Sequence, residues 1–344
     1  MPTLLQAQSR AELEQINSTA GLETIRAEWD RLCARCPTAT PFQSAAWLLS
    51  WWKHLGSGQL SVLVLRTGDR ICGLVPLFLR SAQRGRTLTL LGIGNSDYLD
   101  ALCEWGAEEL LANAFTGHLE NTRELWDICD LHQLRPESPL LKCPIPSDWS
   151  DQISAHETCP SLAFADRVEH LADCVPSRML QNFRYARRRL ERLGAWIRLA
   201  DHTTLQQDLR ALFDLHSARW SARGEPGVLA DSAIQEFHLS AAAALLDQGA
   251  LRLYTLHCAG KIIAVHYGFT QQSRSYFYLG GFDPGWERYS PGTVLIGHAI
   301  ETSVHEGARA FDFLRGREDY KYNWGARDCF TFRRCITRGS TAPA

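Results

Sequence analysis

Polar and apolar positions along this chain alternate with two periods, which set out its elements. Apolar residues spaced by three and four predict helices over Leu22 to Cys36, Phe42 to Trp52, Ala107 to Asn121, Ser177 to Leu193, Thr204 to Arg223 and Ile234 to Gln248. Short alternating or continuous apolar runs bounded by turn residues predict strands. A hairpin joins Ser61–Leu65 to Ile71–Leu79 about Thr67-Gly68-Asp69. Further strands follow at Thr87–Gly92, Leu125–Leu131 and Ser161–Ala165, with a punctuated loop from Pro136 to Pro146. After Trp196–Leu199, a second hairpin joins Leu251–His257 to Ile262–Thr270 about Ala259-Gly260-Lys261.

The stretch from Ser275 to Trp324 carries the most information. Ser275–Phe282 is aromatic-rich and alternating, as a strand requires. Asp283-Pro284-Gly285 is turn chemistry. Ser290-Pro291-Gly292 starts a helix, with Ser290 expected to accept a free amide as N-cap and Pro291 suited to the first helical position. Val294, Leu295, Ala299, Ile300 and Val304 form its apolar stripe, and Gly307 ends it. A short strand, Ala310–Leu314, leads into the polar turn Arg315–Lys321, and Phe330–Thr337 is a last strand. A helix N-terminus thus follows one strand and lies beside the end of the next, an arrangement that suits an anion. The same order also describes an ordinary strand–helix–strand unit.

Element order in residues 1–165 matches that in residues 166–344, without evident residue identity. Two units of one α/β (α+β) fold are therefore expected, each a mixed, mostly antiparallel sheet flanked by helices, with the boundary near Asp166. In the first unit the corresponding turn, Gly94-Asn95-Ser96-Asp97-Tyr98, is followed by Asp100, Glu104, Glu108 and Glu109, which would repel a phosphate. Only the second unit is expected to bind an anionic cofactor.

Charge sharpens this asymmetry. The 344 residues carry a net charge of −2, which argues against bulk binding of nucleic acid or membrane. Residues 1–165 hold 13 Lys+Arg against 19 Asp+Glu, and residues 166–344 hold 23 against 19. The longest strongly apolar run, Ile71–Leu79, is too short to span a bilayer and contains Pro76, so membrane insertion is not expected. The 11 cysteines are scattered, and no apolar leader precedes them, which reads as a reducing cytoplasm with most thiols in the core. Cys33-x-x-Cys36 has no second cysteine pair for zinc, and no metal is expected.

Three blocks resemble one family. Tyr278-x-x-Gly281-Phe282-Asp283-Pro284, Ser290-Pro291-Gly292 and Phe311-Asp312-Phe313-Leu314-Arg315-Gly316-x-Glu318-x-Tyr320-Lys321-x-x-Trp324-Gly325 look like the signature of the GNAT acyltransferases. Within these, the similarity is to the tandem group related to CelD-type acetyltransferases of cellulose biosynthesis. Arg219-Trp220-x-x-Arg223-Gly224-x-Pro226-Gly227 and Phe42-Gln43-x-x-x-Trp47 resemble two further blocks. The plan is also similar to that of Fem-type aminoacyl transferases, which pair two GNAT units. The resemblance implies acetyl-CoA or another acyl-CoA as donor. Pantetheine would lie along Ser275–Phe282 and the pyrophosphate at Arg288–Thr293, including Arg288, Ser290, Gly292 and Thr293. The family's phosphate motif, Gln/Arg-x-x-Gly-x-Gly/Ala, is replaced here by Glu287-x-x-Ser290-x-Gly292, with Arg288 adjacent.

Acyl transfer from a thioester needs a base, oxyanion donors and an acid for the thiolate. Leu279, Gly280 and Gly281 offer backbone amides for the oxyanion. His266, Asp283 and Asp312 compete as bases; His266 reads also as a satisfied core histidine, and Asp312 equally well as the cap of a nearby turn. Tyr320 is the expected acid, with Tyr322 near it. Arg315, Lys321 and Trp324, together with Arg219, Trp220 and Arg223 on a helix end, are candidates for the acceptor. The resemblance implies as acceptor an amine or hydroxyl of a small molecule or saccharide, with exopolysaccharide synthesis as one setting. Arginines 178, 184, 187, 188, 189 and 192 lie on one helix, which reads as a solvated face or, in a Fem-like user of aminoacyl-tRNA, as a nucleic-acid contact. A non-catalytic scaffold for polysaccharide assembly is a third reading.

Overall fold

In the computed structural model, which describes residues 11–83, 85–221 and 227–338, the chain divides into two units. Residues 1–52, 56–156 and 331–344 belong to the first, and 53–55 with 157–330 to the second.

The first unit opens with β1 (Ala11–Ile16), α1 (Thr19–Thr24) and α2 (Arg26–Arg35). The single helix expected over Leu22 to Cys36 is broken at Ile25, the residue shared by the two caps. The tryptophan-rich helix is α3 (Ala45–Leu55), capped by Ser44, whose hydroxyl accepts from the Trp47 amide at 3.2 Å. β2 (Gln59–Leu60) and β3 (Val62–Thr67) follow. The apolar run expected as one strand is two, β4 (Arg70–Val75) and β5 (Leu77–Ala82). Pro76 separates them, because it has no N–H to offer a ladder and fixes its own φ. β4 pairs with β3, whereas β5 pairs with β6 (Gly85–Leu90) in another sheet. β7 (Leu102–Cys103), α4 (Glu108–Asn121) and β8 (Ile128–Leu134) follow, the last lying three residues later than expected. α5 (Pro139–Lys142) interrupts the Pro-punctuated loop, and β9 (Ser150–Thr158) is a polar, largely exposed strand that periodicity did not reveal.

The second unit holds β10 (Ser161–Ala163), α6 (Ser177–Glu191), β11 (Trp196–Leu199), α7 (Leu205–Ser221), α8 (Ser232–Asp247), β12 (Leu251–Cys258), β13 (Lys261–Gln271) and β14 (Arg274–Phe282). A 3-10 turn (Pro284–Tyr289) leads to α9 (Pro291–His305), β15 (Ala310–Asp312) and α10 (Asp319–Asn323). Its sheet runs β10-β15-β14-β13-β12-β11, antiparallel except where β14 and β15 run parallel. The strand pleat sends His266 and Tyr267 to opposite faces. His266 meets Tyr254, which in turn packs edge-on against His298 of α9 at 4.9 Å. Tyr267 meets His238 of α8 at 5.7 Å. One core therefore joins α6 and α9 to the sheet, through Phe183, Leu190, Leu256, Ala264, Leu295 and Ile300. On the other face α7 comes so close to β14 that a Cβ at Gly281 would lie 3.0 Å from that of Leu215.

β16 (Phe330–Thr337) does not close this sheet. It pairs antiparallel with β8 in the first unit, in the order β2-β5-β6-β8-β16-β9. The expected boundary near Asp166 therefore differs from the observed division in two ways: the second unit begins at Glu157, and the chain's last strand belongs to the first unit. Arg334 explains the preference. Buried in β16, it donates to both carboxylate oxygens of Asp151 (2.8 and 2.7 Å) and to the Leu140 and Cys143 carbonyls. The sheets are mostly antiparallel and flanked by helices in both units, as expected, although the first unit splits its strands between two sheets.

Candidate functional site

A cavity of about 480 Å³ opens in the second unit on the face that carries α6 and α9. Its floor is β13 and β14 at Val265, His266, Phe277, Gly280, Gly281 and Phe282. α6 forms one wall through Met179, Asn182, Tyr185, Ala186 and Arg189, and the start of α9 another through Ser290, Gly292 and Thr293. Tyr320, Asn323 and Trp324 complete it.

The floor is a strand that loses a neighbour. β15 pairs with β14 only from Arg274 to Tyr276, so the segment from Phe277 to Phe282 has no strand on that edge among the described residues. An extra residue, Tyr278, lies opposite the Tyr267–Gly268 step and bends the strand there. The Asp283 amide bonds to the Ile263 carbonyl at 2.9 Å. Antiparallel alternation then turns Gly281 toward β13 and directs the Gly280 amide to the open edge. Of the three residues expected as oxyanion donors, Gly280 turns its amide to the open edge, Gly281 turns its amide to β13, and Leu279 does not line the cavity.

At the start of α9, Ser290 is the N-cap residue, but not in the manner expected. It is left-handed (φ 54°, ψ 51°), and its hydroxyl makes no capping bond. The first helical bond is Val294 N–H to the Ser290 carbonyl at 3.2 Å, so the Gly292 and Thr293 amides precede the ladder. A Cβ on Gly292 would touch only Phe282 Cδ1, at 3.8 Å, leaving the first turn open to the cavity.

The titratable candidates separate clearly. His266 is 2% exposed, stacked on Phe277 with ring centroids 4.7 Å apart, and its Nδ1 has no hydrogen-bond partner. Burial, aided by the nearby His298, pulls its pKa down to about 3, so it is neutral at physiological pH. Tyr320 lines the cavity beside Phe277. The other two expected bases turn away. Asp283 caps the 3-10 turn, accepting from Gly285 N–H at 2.9 Å, and pairs with Lys261 Nζ at 2.7 Å, which holds its carboxyl below the ordinary range. Asp312 is buried, accepts from the Leu314 amide at 2.9 Å and faces Arg274 at 3.6 Å. Neither lines the cavity.

The acceptor candidates fare similarly. Trp324 is buried in the cavity wall. Lys321 is buried; its ammonium donates to the carbonyls of Leu314, Arg315 and Gly316 and pairs with Glu318 at 3.0 Å, so it clamps a loop and does not face the cavity. Arg315 is half-buried in that loop and outside the cavity lining. Arg219 and Trp220 lie on α7 with side chains outside the described set, and Arg223 lies outside the described residues. Arg288 is exposed and stacked on Tyr289, its Nη2 donating to that hydroxyl at 3.0 Å. The α6 wall was missed: Asn182, Tyr185, Ala186 and Arg189 follow three- and four-residue spacing, which puts them on one face.

Buried neutral histidines also give the second unit a pH dependence. His238, like His266, is lowered to about 3 by burial, against about 6.5 in an unfolded chain. Their folded values are depressed, so between pH 6.5 and 3 the unfolded state binds more protons, and stability falls as pH falls. Each contributes on the order of 1 kcal/mol per pH unit well inside that window and less at its ends. In the first unit His118, lowered to about 4, acts in the same sense, while Asp100, raised by burial to about 7, acts in the opposite sense and offsets it. Pulse proteolysis in urea, which reads the units separately, should show the second unit's midpoint dropping between pH 6.5 and 4.5 much more than the first's. Parallel midpoints would contradict this assignment.

Residues 177–322 match the family model of the acetyltransferase (GNAT) domain. This segment is a GNAT domain. The matched model covers the superfamily's domain and does not single out the CelD-type group. No protein of curated function matches the chain. Among solved structures, FemX is similar at 12% identity with a TM-score of 0.66, over 94% of this chain and 96% of that one. A conserved protein of unknown function from Bacteroides thetaiotaomicron is similar at 13% identity and TM-score 0.61, over 95% and 100%. The C-terminal domain of a putative lysylphosphatidylglycerol synthetase from Agrobacterium fabrum is similar at 11% and 0.59, over 92% of each. These likenesses extend over nearly the whole chain and, at such identities, show its fold alone. No helix among the described residues is long and apolar enough to cross a membrane.

Proposed function

We propose that the second unit transfers an acyl group from acyl-CoA to an amine or hydroxyl of a small molecule or saccharide, and that the first unit binds no donor. The observation that carries this reading is the meeting, in one cavity, of a strand edge that no strand covers among the described residues and a helix start without a side-chain cap. Acyl-CoA suits these features: the open turn at Gly292 leaves room for a diphosphate, and the strand edge offers a hydrogen-bonding rail for pantetheine. In the first unit the matching turn is occupied by indoles. Trp47 Nε1 donates to Ser96 Oγ at 2.9 Å and Trp51 Nε1 to Asn95 Oδ1 at 3.1 Å.

When bound, the donor supplies an activated acyl carbon. The Gly280 amide receives its carbonyl oxygen. Neutral His266 accepts a hydrogen bond from the attacking amine or hydroxyl and orients it; so weak a base does not hold a full proton at neutral pH. Tyr320 donates a proton to the departing sulfur and regains one from the nucleophile, so that no net proton is released.

Acetyl-CoA at 100 times its dissociation constant should stabilise the unit by about 2.7 kcal/mol, a melting shift of roughly 5–10 °C for a unit of this size. No shift at millimolar acetyl-CoA would refute the reading. The arginine-rich α6 and the similarity of plan to Fem-type enzymes support a second reading, with aminoacyl-tRNA as donor. That reading gains if tRNA binds with a steep salt dependence while acetyl-CoA has no effect.

A further inference from the structure

Resting on the acyl-CoA reading, we propose that Arg189 of α6 is the cation that holds the donor's diphosphate, replacing the one missing from the turn before α9. The turn provides no positive charge of its own to the cavity. Glu287 is exposed, and Arg288 is engaged with Tyr289 outside the cavity lining. Arg189 reaches the same place from another element. Its guanidinium lies 4.6 Å from the Tyr289 ring centroid and 5.4 Å from that of Tyr185, and its Nη1 donates to the Arg288 carbonyl at 2.9 Å. This bond is the only one that the guanidinium makes among the described residues, so Nε and Nη2 keep donors for a ligand.

The cluster has the form of a prepared anion site. Two aromatic contacts and one carbonyl fix the guanidinium plane, so little side-chain entropy remains to be lost when it binds oxygen atoms. Arg189, Ser290, Gly292 and Thr293 line one cavity, and the amides of Gly292 and Thr293 precede the helical ladder. A second, independent sign of a ligand lies deeper. His266, 2% exposed, lines the same cavity, and its Nδ1 is buried without a hydrogen-bond partner. Charge at the mouth and a buried polar side chain within match an extended ligand that is anionic at one end and has a hydrogen-bonding group further in. Tyr185, 61% exposed, gives the mouth an aromatic surface beside that guanidinium.

The test measures binding of CoA, dephospho-CoA and pantetheine by calorimetry to the wild-type chain, Arg189→Ala and Arg189→Lys. Loss of a charge-assisted pair should weaken CoA binding to Arg189→Ala by about 10- to 150-fold. Dephospho-CoA should lose the same factor, because it retains the diphosphate, and pantetheine should bind both proteins equally. Arg189→Lys keeps the charge but neither the stacking nor the fork, and should recover only part of the loss. Melting temperatures of the variants separate a binding defect from misfolding, and Arg189→Lys carries the test if the alanine variant is unstable. Unchanged CoA affinity in a folded variant would overturn the assignment. A loss confined to CoA and absent with dephospho-CoA would also overturn it, since Arg189 would then meet the 3′-phosphate. If the wild-type chain binds no CoA at all, the acyl-CoA reading fails and the role of Arg189 fails with it.

Discussion

Replacing Gly292 with Asp should abolish useful donor binding while leaving the second unit folded. The two effects are separable because the substitution is benign for the helix. A Cβ at this position meets only Phe282, at an ordinary contact distance of 3.8 Å. A carboxylate in the first turn of a helix is favourable toward the macrodipole, by about 0.3–1 kcal/mol. The same charge faces the position given to a diphosphate. Two like charges some 4 Å apart repel by about 4 kcal/mol at an effective dielectric of 20. Screening at an open mouth reduces this to roughly 2–3 kcal/mol, or about 30- to 150-fold in affinity. Calorimetry with CoA and a melting curve decide the matter. An unchanged dissociation constant would place the phosphates elsewhere.

Lys321→Met should act in the opposite way, lowering stability before it touches recognition. Methionine keeps the apolar stem and removes the ammonium that holds the carbonyls of Leu314, Arg315 and Gly316. Those carbonyls belong to a loop that turns sharply, with Leu314 at φ 57° and Gly316 at φ 107°. Three carbonyls left without their donor cost about 1–3 kcal/mol each, about 3 kcal/mol or more in all, whereas the exposed Glu318 loses little. Even a total of about 3 kcal/mol is a fall of roughly 6–12 °C in the melting temperature of a unit this size. Because Tyr320, Asn323 and Trp324 follow the clamped loop into the cavity wall, catalysis should fail along with stability. A direct substrate contact would instead raise KM and leave the melting curve unchanged, and that result would remove the clamp.

Particular residues show how much of this was legible in the sequence. The segment from Ser275 to Trp324 was read nearly whole, because strand alternation, Pro291 and Gly307 are local signals with local causes. Candidates whose side chains turn elsewhere were not separable from those that line the cavity. Asp283, Asp312 and Lys321 carry suitable chemistry in suitable places, but caps, an arginine across the strand and three carbonyls engage them. Such competition is set by three-dimensional neighbours and leaves no mark on periodicity. The α6 wall fell between these cases. Its arginines drew attention as a charged face, while the spacing of Asn182, Tyr185 and Arg189 already marked a shared stripe. β9 left no signal, since Ser-Asp-Gln-Ile-Ser-Ala-His-Glu-Thr has almost nothing apolar to alternate. Pro76 is visible in the sequence, but that it divides one apolar run between two sheets depends on the partners of each half, β3 and β6, which the run itself does not name.

The late return of β16 gives synthesis an order of events. β9 emerges from the ribosome before the second unit, and its neighbour in the sheet emerges after it. At roughly 5–20 residues per second, the wait between them is about 10–30 s. During that time β8 is an exposed edge and β9 has no strand beside it, the kind of surface on which chains associate wrongly. The polarity that hid β9 from periodicity makes it a poor template for such pairing. The second unit, meanwhile, has all its strands in one continuous segment and can finish folding first. The nascent chain would then pass through a state in which the GNAT domain is complete while its companion still lacks its closing strand.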